Sequence, residues 1–250
     1  MPVHYLRALT SPGRTTENNR RLGRSLAFVA GAANAGGFLA VGQYTSHMTG
    51  IVSSMADETA LGNISLVVAG LCSLLAFMSG AAVSAILVNW GRRRGAHSEY
   101  AMPLMVEAAL LLVFGLLGAR LEQHRMLFVP ATVGLLCFIM GLQNAIITKI
   151  SKADIRTTHM TGIVTDIGIE LGKLLYWNMS NDEPDARVLA NRPRLRLLAS
   201  LLGMFLLGGV AGALGFGHAG FIATVPLAAL LIVLAIVPVL DDLATLGRRS

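Results

Sequence analysis

The sequence predicts an all-α, polytopic membrane protein of six transmembrane helices arranged as a 3+3 inverted-topology repeat. Three observations carry this prediction: composition, the distribution of basic residues and an internal duplication. The 250-residue chain is 54% hydrophobic and only 14% charged, well outside the balance of a soluble domain of that length. Its net charge of +6 would suit a nucleic-acid partner, but eighteen of the twenty Lys and Arg fall on one side of a six-span arrangement, leaving Arg120 and Arg125 on the other. That bias marks topology, with both termini cytoplasmic, and no nucleic acid is expected. The duplication is His47-Met-Thr-Gly-Ile-Val, which returns as His159-Met-Thr-Gly-Ile-Val, each followed by a glutamate eleven residues after the histidine, Glu58 and Glu170.

A basic arm over 1–24 opens the chain, and the absence of a small-residue cleavage site after the first apolar run predicts that it is retained. Mostly apolar runs of at least 18 residues fall near 25–43, 64–90, 102–119, 126–148, 196–216 and 219–240, each long enough for a hydrocarbon core of roughly 30 Å. They divide into a first three-helix repeat, 25–120, and a second, 121–240, which carries a long cytoplasmic loop at 149–196; a cytoplasmic tail, 241–250, closes the chain. Gly31-Ala-Ala-Asn34-Ala35 recurs as Gly141-Leu-Gln-Asn144-Ala145 at an offset of 110, and Phe77-x-x-Gly80-x-x-x-Ser84 as Phe205-x-x-Gly208-x-x-x-Gly212 at 128. Three spans per half send the second copy into the membrane from the opposite side. The small-x-x-x-small pairs permit close helix crossings, between the halves or between protomers of a homo-oligomer.

Each His-Met-Thr-Gly turn is expected to open a helix capped by Thr49 or Thr161. At about 100° per residue, Met160, Ile163, Val164, Ile167 and Leu171 share one face of the second copy, and His159, Gly162, Asp166, Glu170 and Lys173 the other. His47, Gly50, Ser54 and Glu58 form the matching polar face of the first. Such a helix either lies on the membrane surface or re-enters it with its N–H groups pointing inward. On the second reading His47, Thr49, Gly50, His159, Thr161 and Gly162 bind a solute: glycine allows close approach, threonine offers a hydroxyl and histidine carries a proton near neutral pH. Asn34, Asn144 and Gln143 are intramembrane amides that join this site or glue helices. Glu58, Glu170, Asp166 and the intramembrane Glu107 are candidates for a coupling or polar network.

Other signals fall away. Cys72 and Cys137 lie within spans without a C-x-x-C partner and read as packing residues, with neither disulfide nor metal. Gly215-Phe-Gly217-His-Ala-Gly220 fits G-x-G-x-x-G but joins two apolar spans with no strand before it. Gly168-x-x-x-Gly172-Lys173-Leu174 misses the phosphate-loop spacing, and neither H-E-x-x-H nor G-x-S-x-G occurs. No cofactor and no enzymatic activity are predicted.

The stretches "LAFVAGAANAGGFLAVGQYTSHMTG", "GLQNAIITKI" and "TTHMTG" resemble the YoaK-like family of bacterial inner-membrane proteins, a domain of unknown function sometimes described as permease-like. The likeness spans roughly 22–240 and implies a multi-pass protein of the bacterial inner membrane. The chain departs from the family at Asn34, where members often carry Asp, and at Ile51, where Asn often follows the first Thr-Gly. The leading expectation is a carrier or channel-like permease for a small, possibly anionic solute. A non-transporting scaffold that binds a partner through the cytoplasmic loop is the alternative, and an intramembrane enzyme using His159, Asp166 and Glu170 ranks third.

Overall fold

The computed structural model describes residues 15–96, 98–119, 125–151, 157–177 and 187–246. Every element among them is helical: α1 (Thr16–Val41), α2 (Met48–Ala60), α3 (Ile64–Arg93), α4 (Ala101–Gly118), α5 (Arg125–Ile150), α6 (Met160–Leu175), α7 (Arg192–Ala219), a 3-10 turn (Gly220–Ala223) and α8 (Thr224–Leu246). Most of the basic arm, parts of the 149–196 loop and the end of the tail lie outside the described residues.

Among the described residues, five stretches are long and apolar enough to cross a membrane: Thr16–Val41, Ile64–Arg93, Ala101–Gly118, Val129–Ile150 and Arg192–Asp242. The last is 51 residues long, about 77 Å as one straight helix against a hydrocarbon core of roughly 30 Å. It does not run straight. Gly220, at φ 60, ends α7, and the 3-10 turn leads into α8. The chain is therefore a multi-pass, all-helical membrane protein.

Helix ends follow local chemistry. α1 begins at Thr16, ahead of the apolar run, because the Thr15 hydroxyl accepts the Asn18 N–H at 3.3 Å and Glu17 sits in the positive first turn. It stops at Gly42, whose φ of 74 lets its N–H close on the Phe38 carbonyl at 2.8 Å. The 13 residues of α2 and 16 of α6 make helices of about 20 and 24 Å, too short to cross.

The long helices pair across the two halves of the sequence. α1 lies along α7 and α3 along α5, while α4 lies along α8. Arg24 Nε donates to Ser200 Oγ at 3.0 Å and Lys149 Nζ to Asn89 Oδ1 at 2.8 Å, so the first two pairs are parallel. α4 and α8 are antiparallel, with Ser98 N–H on Asp242 Oδ2 at 2.9 Å at one end and Phe114 edge-on to Phe221 at the other. α5, which repeats α1 in sequence, runs antiparallel to it: Asn19 Nδ2 reaches the Ile150 carbonyl at 3.4 Å, and a Cβ on Gly37 would lie 3.1 Å from Leu136.

Backbone contact holds the cross-half pairs. A Cβ on Gly31 would fall 2.0 Å from the Phe205 carbonyl oxygen and one on Gly208 2.0 Å from that of Phe28. The repeat-related contacts match: Gly141 against Phe77 O and Gly80 against Phe138 O, again at 2.0 Å. The small-residue faces of the sequence analysis are thus occupied inside the chain, by the opposite half.

Gly141→Ala and Gly208→Ala should each lower thermal stability in detergent. Pushing two backbones apart costs about 1–3 kcal/mol or more. Gly217→Ala, in open space near the end of α7, should leave stability unchanged or raise it slightly.

Candidate functional site

The two duplicated turns start their helices in the same way. His47 and His159 are the N-cap residues of α2 and α6, and their carbonyls accept from Ile51 and Ile163 N–H, each at 3.1 Å. Thr49 and Thr161 are therefore the second helical residues, inside the first turn and not at the cap as expected, because the helix starts directly after the histidine. Neither imidazole caps a backbone N–H. Each ring folds over the first turn instead: a Cβ on Gly50 would meet His47 Cδ2 at 2.2 Å, and one on Gly162 would meet His159 Nδ1 at 2.2 Å. The glycine of each motif makes room for its own histidine.

Asn34 and Asn144 pin these turns to the preceding long helix. Ser46 Oγ donates to Asn34 Oδ1 at 3.0 Å, and Asn144 Nδ2 donates to Thr158 Oγ1. Both partners directly precede a motif histidine. In each copy the residue before that, Thr45 or Thr157, is fully buried.

The repeated glutamates tie each short helix to the cap of the next long one. Asn63, the N-cap of α3, donates through Nδ2 to Glu58 Oε2 at 2.6 Å. Asn191, the N-cap of α7, donates its backbone N–H to Glu170 Oε2 at 2.6 Å. Lys173 Nζ adds a 2.9 Å bond to Glu170 Oε1, and Arg194 pairs with Asp166 at 2.9 Å. The Lys173 hydrogen bond, followed by the Asn191 N–H, holds the Glu170 carboxyl below its ordinary value. Glu58, Glu170 and Asp166, read from sequence as a coupling network, are placed as fastenings of α2 and α6.

Gln143 separates from the other amides. Its Nε2 donates to Glu107 Oε1 at 2.7 Å, with both side chains fully buried between α4 and α5. It meets α4, whereas its neighbour Asn144 meets the second turn.

Two cavities border the first turn. One, of about 740 Å³, lies between α2, α3 and the facing ends of α1 and α5; the predicted polar face of α2, His47, Gly50, Ser54 and Glu58, lines it. A second, of about 780 Å³, is lined by Asn34, Ser46 and His47 together with Thr158, Met160 and Thr161, and by α7 around Phe205. Both turns therefore open onto one space. The α1–α5 register sets Asn34 and Asn144 only about seven residues, or roughly 10 Å, apart along the bundle, so the turns approach each other from opposite ends. His47 lines both cavities, while Thr49, His159 and Gly162 line neither.

Sequence reading missed three contributors. Ser46 and Thr158 could have been found as the hydroxyl that precedes histidine in both copies. Tyr44, stacked on Phe38 at 4.7 Å where the two cavities adjoin, has no counterpart in the second copy and left no repeat signal.

Against known families, the sequence matches that of protein of unknown function (DUF1275) over residues 22–237. The chain belongs to this family, in line with the YoaK-like resemblance. No curated protein and no solved structure matches it.

Because the Glu170 carboxyl is held below 4.5, its ordinary value, its stabilising effect is complete above that pH and is lost as pH falls through the folded-state value. Glu170→Gln should melt earlier than wild type at neutral pH, with the gap closing on acidification below about 4.5. Melting curves of both proteins in detergent, taken across that range, check this.

Proposed function

We propose that this member of the DUF1275 family is a small-solute carrier of six spans, a 3+3 inverted repeat in the bacterial inner membrane, with its solute site in the space between the two His-Met-Thr-Gly turns. The observation that carries the reading is the shared cavity, to which the first turn contributes Ser46 and His47 and the second Thr158, Met160 and Thr161. Two symmetry-related turns reaching one space from opposite sides is the construction expected of inverted-repeat carriers. The antiparallel α1 and α5 and the matched glycine crossings support it, as does the kink that turns the 51-residue stretch into two spans.

A difference between the halves favours movement. α2 buries none of its residues and borders an open cavity, whereas α6 buries Ile163 and Glu170. On the positive-inside orientation, α2 lies on the outer side. The arrangement corresponds to an outward-open end state, and its inverse, with α2 packed and α6 lifted, would open inward.

Among the described residues, no Asp, Glu, Lys or Arg lines the shared cavity. The positive ends of α2 and α6 supply partial charge and His47 supplies an imidazole N–H donor, which suits a small carboxylate or inorganic anion.

Topology is tested by cysteines in a background without Cys72 and Cys137. Thr59→Cys and Gly217→Cys should react with an impermeant maleimide from outside, and Ser180→Cys, outside the described residues, only after permeabilisation. Outside labelling at 180 would overturn the six-span arrangement.

The site is tested in proteoliposomes by uptake of labelled acetate, lactate and phosphate. His47→Leu and Thr161→Val should each weaken uptake, with loss of one hydrogen bond worth on the order of 1 kcal/mol, about fivefold in affinity. Their double variant should be non-additive, since both would touch one solute. Additive loss of thermal stability with unchanged uptake would assign both turns to folding.

A further inference from the structure

Glu107 and Gln143 form a pair that the duplicated design does not require. The residue matching Gln143 in the first half is Ala33, and α8, the counterpart of α4, carries no Asp, Glu, Lys or Arg before Asp241. Both side chains are fully buried, and Gln143 Nε2 donates to Glu107 Oε1 at 2.7 Å. The two oxygens left over, Glu107 Oε2 and Gln143 Oε1, are buried acceptors without a donor. An ionised carboxylate with one hydrogen bond, inside a helix bundle in hydrocarbon, is among the costlier arrangements in a protein. A proton on Oε2 removes the charge and makes that oxygen a donor, with the orphaned amide oxygen as the acceptor on the same partner. A carboxylic acid and a primary amide match edge to edge in this way, with two hydrogen bonds in one ring.

From this geometry we propose that Glu107 is a proton-binding site inside the membrane, closed by Gln143, and that its proton is the coupling ion of the carrier described above. The coupling part rests on the carrier reading; the proton site does not.

No ionised group competes for the carboxyl among the described residues, since Gln143 is the side chain bonded to it. On α5, Lys149 is bonded to Asn89, and Cys137 meets Ser73. On α3, Arg92 is held by Tyr100 and Glu99, and Arg94 lies over Trp90. On α8, Asp242 accepts from Ser98.

The connection to the cavity is a single helix. Gln143 and Asn144 are adjacent on α5, the first bonded to Glu107 and the second to Thr158 at the second turn. When the proton leaves to water the acid–amide ring opens. The carboxylate must then be hydrated, so the contact between α4 and α5 loosens, and the helix that holds the second turn shifts with it. Nothing else is transferred.

The test needs no solute. In infrared difference spectra of the purified protein in nanodiscs, titrated with alkali, wild type should show a protonated-carboxyl C=O band that shifts in D2O and disappears at high pH. Glu107→Gln should lack it, and Gln143→Leu, which keeps the acid, should move it to the higher frequency of an unbonded carbonyl. Absence of the band in wild type, its persistence in Glu107→Gln or an unmoved band in Gln143→Leu would overturn the proton site. Coupling is read from Thr161→Cys without Cys72 and Cys137. Its rate of maleimide labelling, relative to that of the same protein denatured in SDS, should change severalfold with pH when Glu107 is present and lose that change in Glu107→Gln. Equal pH profiles would overturn the coupling and leave the proton site standing. Failure of the uptake assays with the infrared band intact would instead remove the carrier reading alone.

Discussion

Close backbone contact between the two halves is the constraint on which the rest of the molecule depends. Lipid tails are as apolar as leucine, so burial of apolar side chains gives membrane helices little reason to prefer one another over lipid. Close van der Waals contact provides that preference, and it needs positions without a side chain. Gly31, Gly80, Gly141 and Gly208 provide them, each against a carbonyl of the other half. With α1 locked on α7 and α3 on α5, neither half can hold its long helices apart from its partner. The short helices α2 and α6 then hang from this frame, each packed on the following long helix of its own half.

That division of labour accounts for the duplicated motif. Glycine and glutamate serve construction in both copies: the histidine ring folds over the glycine, leaving only His47 of the two rings at a cavity, and the glutamate ties the far end of the short helix to the next N-cap asparagine. Asn34 and Asn144 hold the near end. A turn fastened at both ends presents its remaining groups to the cavity in a fixed pose, which is what a binding site requires. The two copies are fastened by the same chemistry but packed differently: α2 stands beside an open space, while α6 is seated on the core through Ile163. Identical local sequence with different packing is how a protein with two equivalent end states would look in either one of them.

Glu107 and Gln143 stand outside this symmetry. Everything attributable to the repeat is matched between the halves, including the glycine crossings, the pinned turns and the cap glutamates. A fully buried acid found in one half alone has no such structural counterpart, and its bond to Gln143, which neighbours Asn144 on α5, brings it within one residue of the fastening of the second turn.

Membrane class, approximate spans and the repeated motif were legible in the sequence because they depend on local composition and periodicity. Hydrocarbon thickness sets the length of apolar runs, and a repeated motif is visible without coordinates. Helix starts were less legible. Thr15 extends α1 into the basic arm, and the histidines, not Thr49 and Thr161, occupy the N-caps, because a cap is a matter of backbone angle as well as residue type. Partner choice was not legible at all. The glycines announced close crossings, but only the tertiary structure decided that they face the other half of the same chain. It also directed Gln143 to Glu107 and Asn144 to Thr158, although the two amides are neighbours in sequence. Adjacent residues on a helix point about 100° apart, so which helix each one meets is fixed by packing between distant segments and by nothing local.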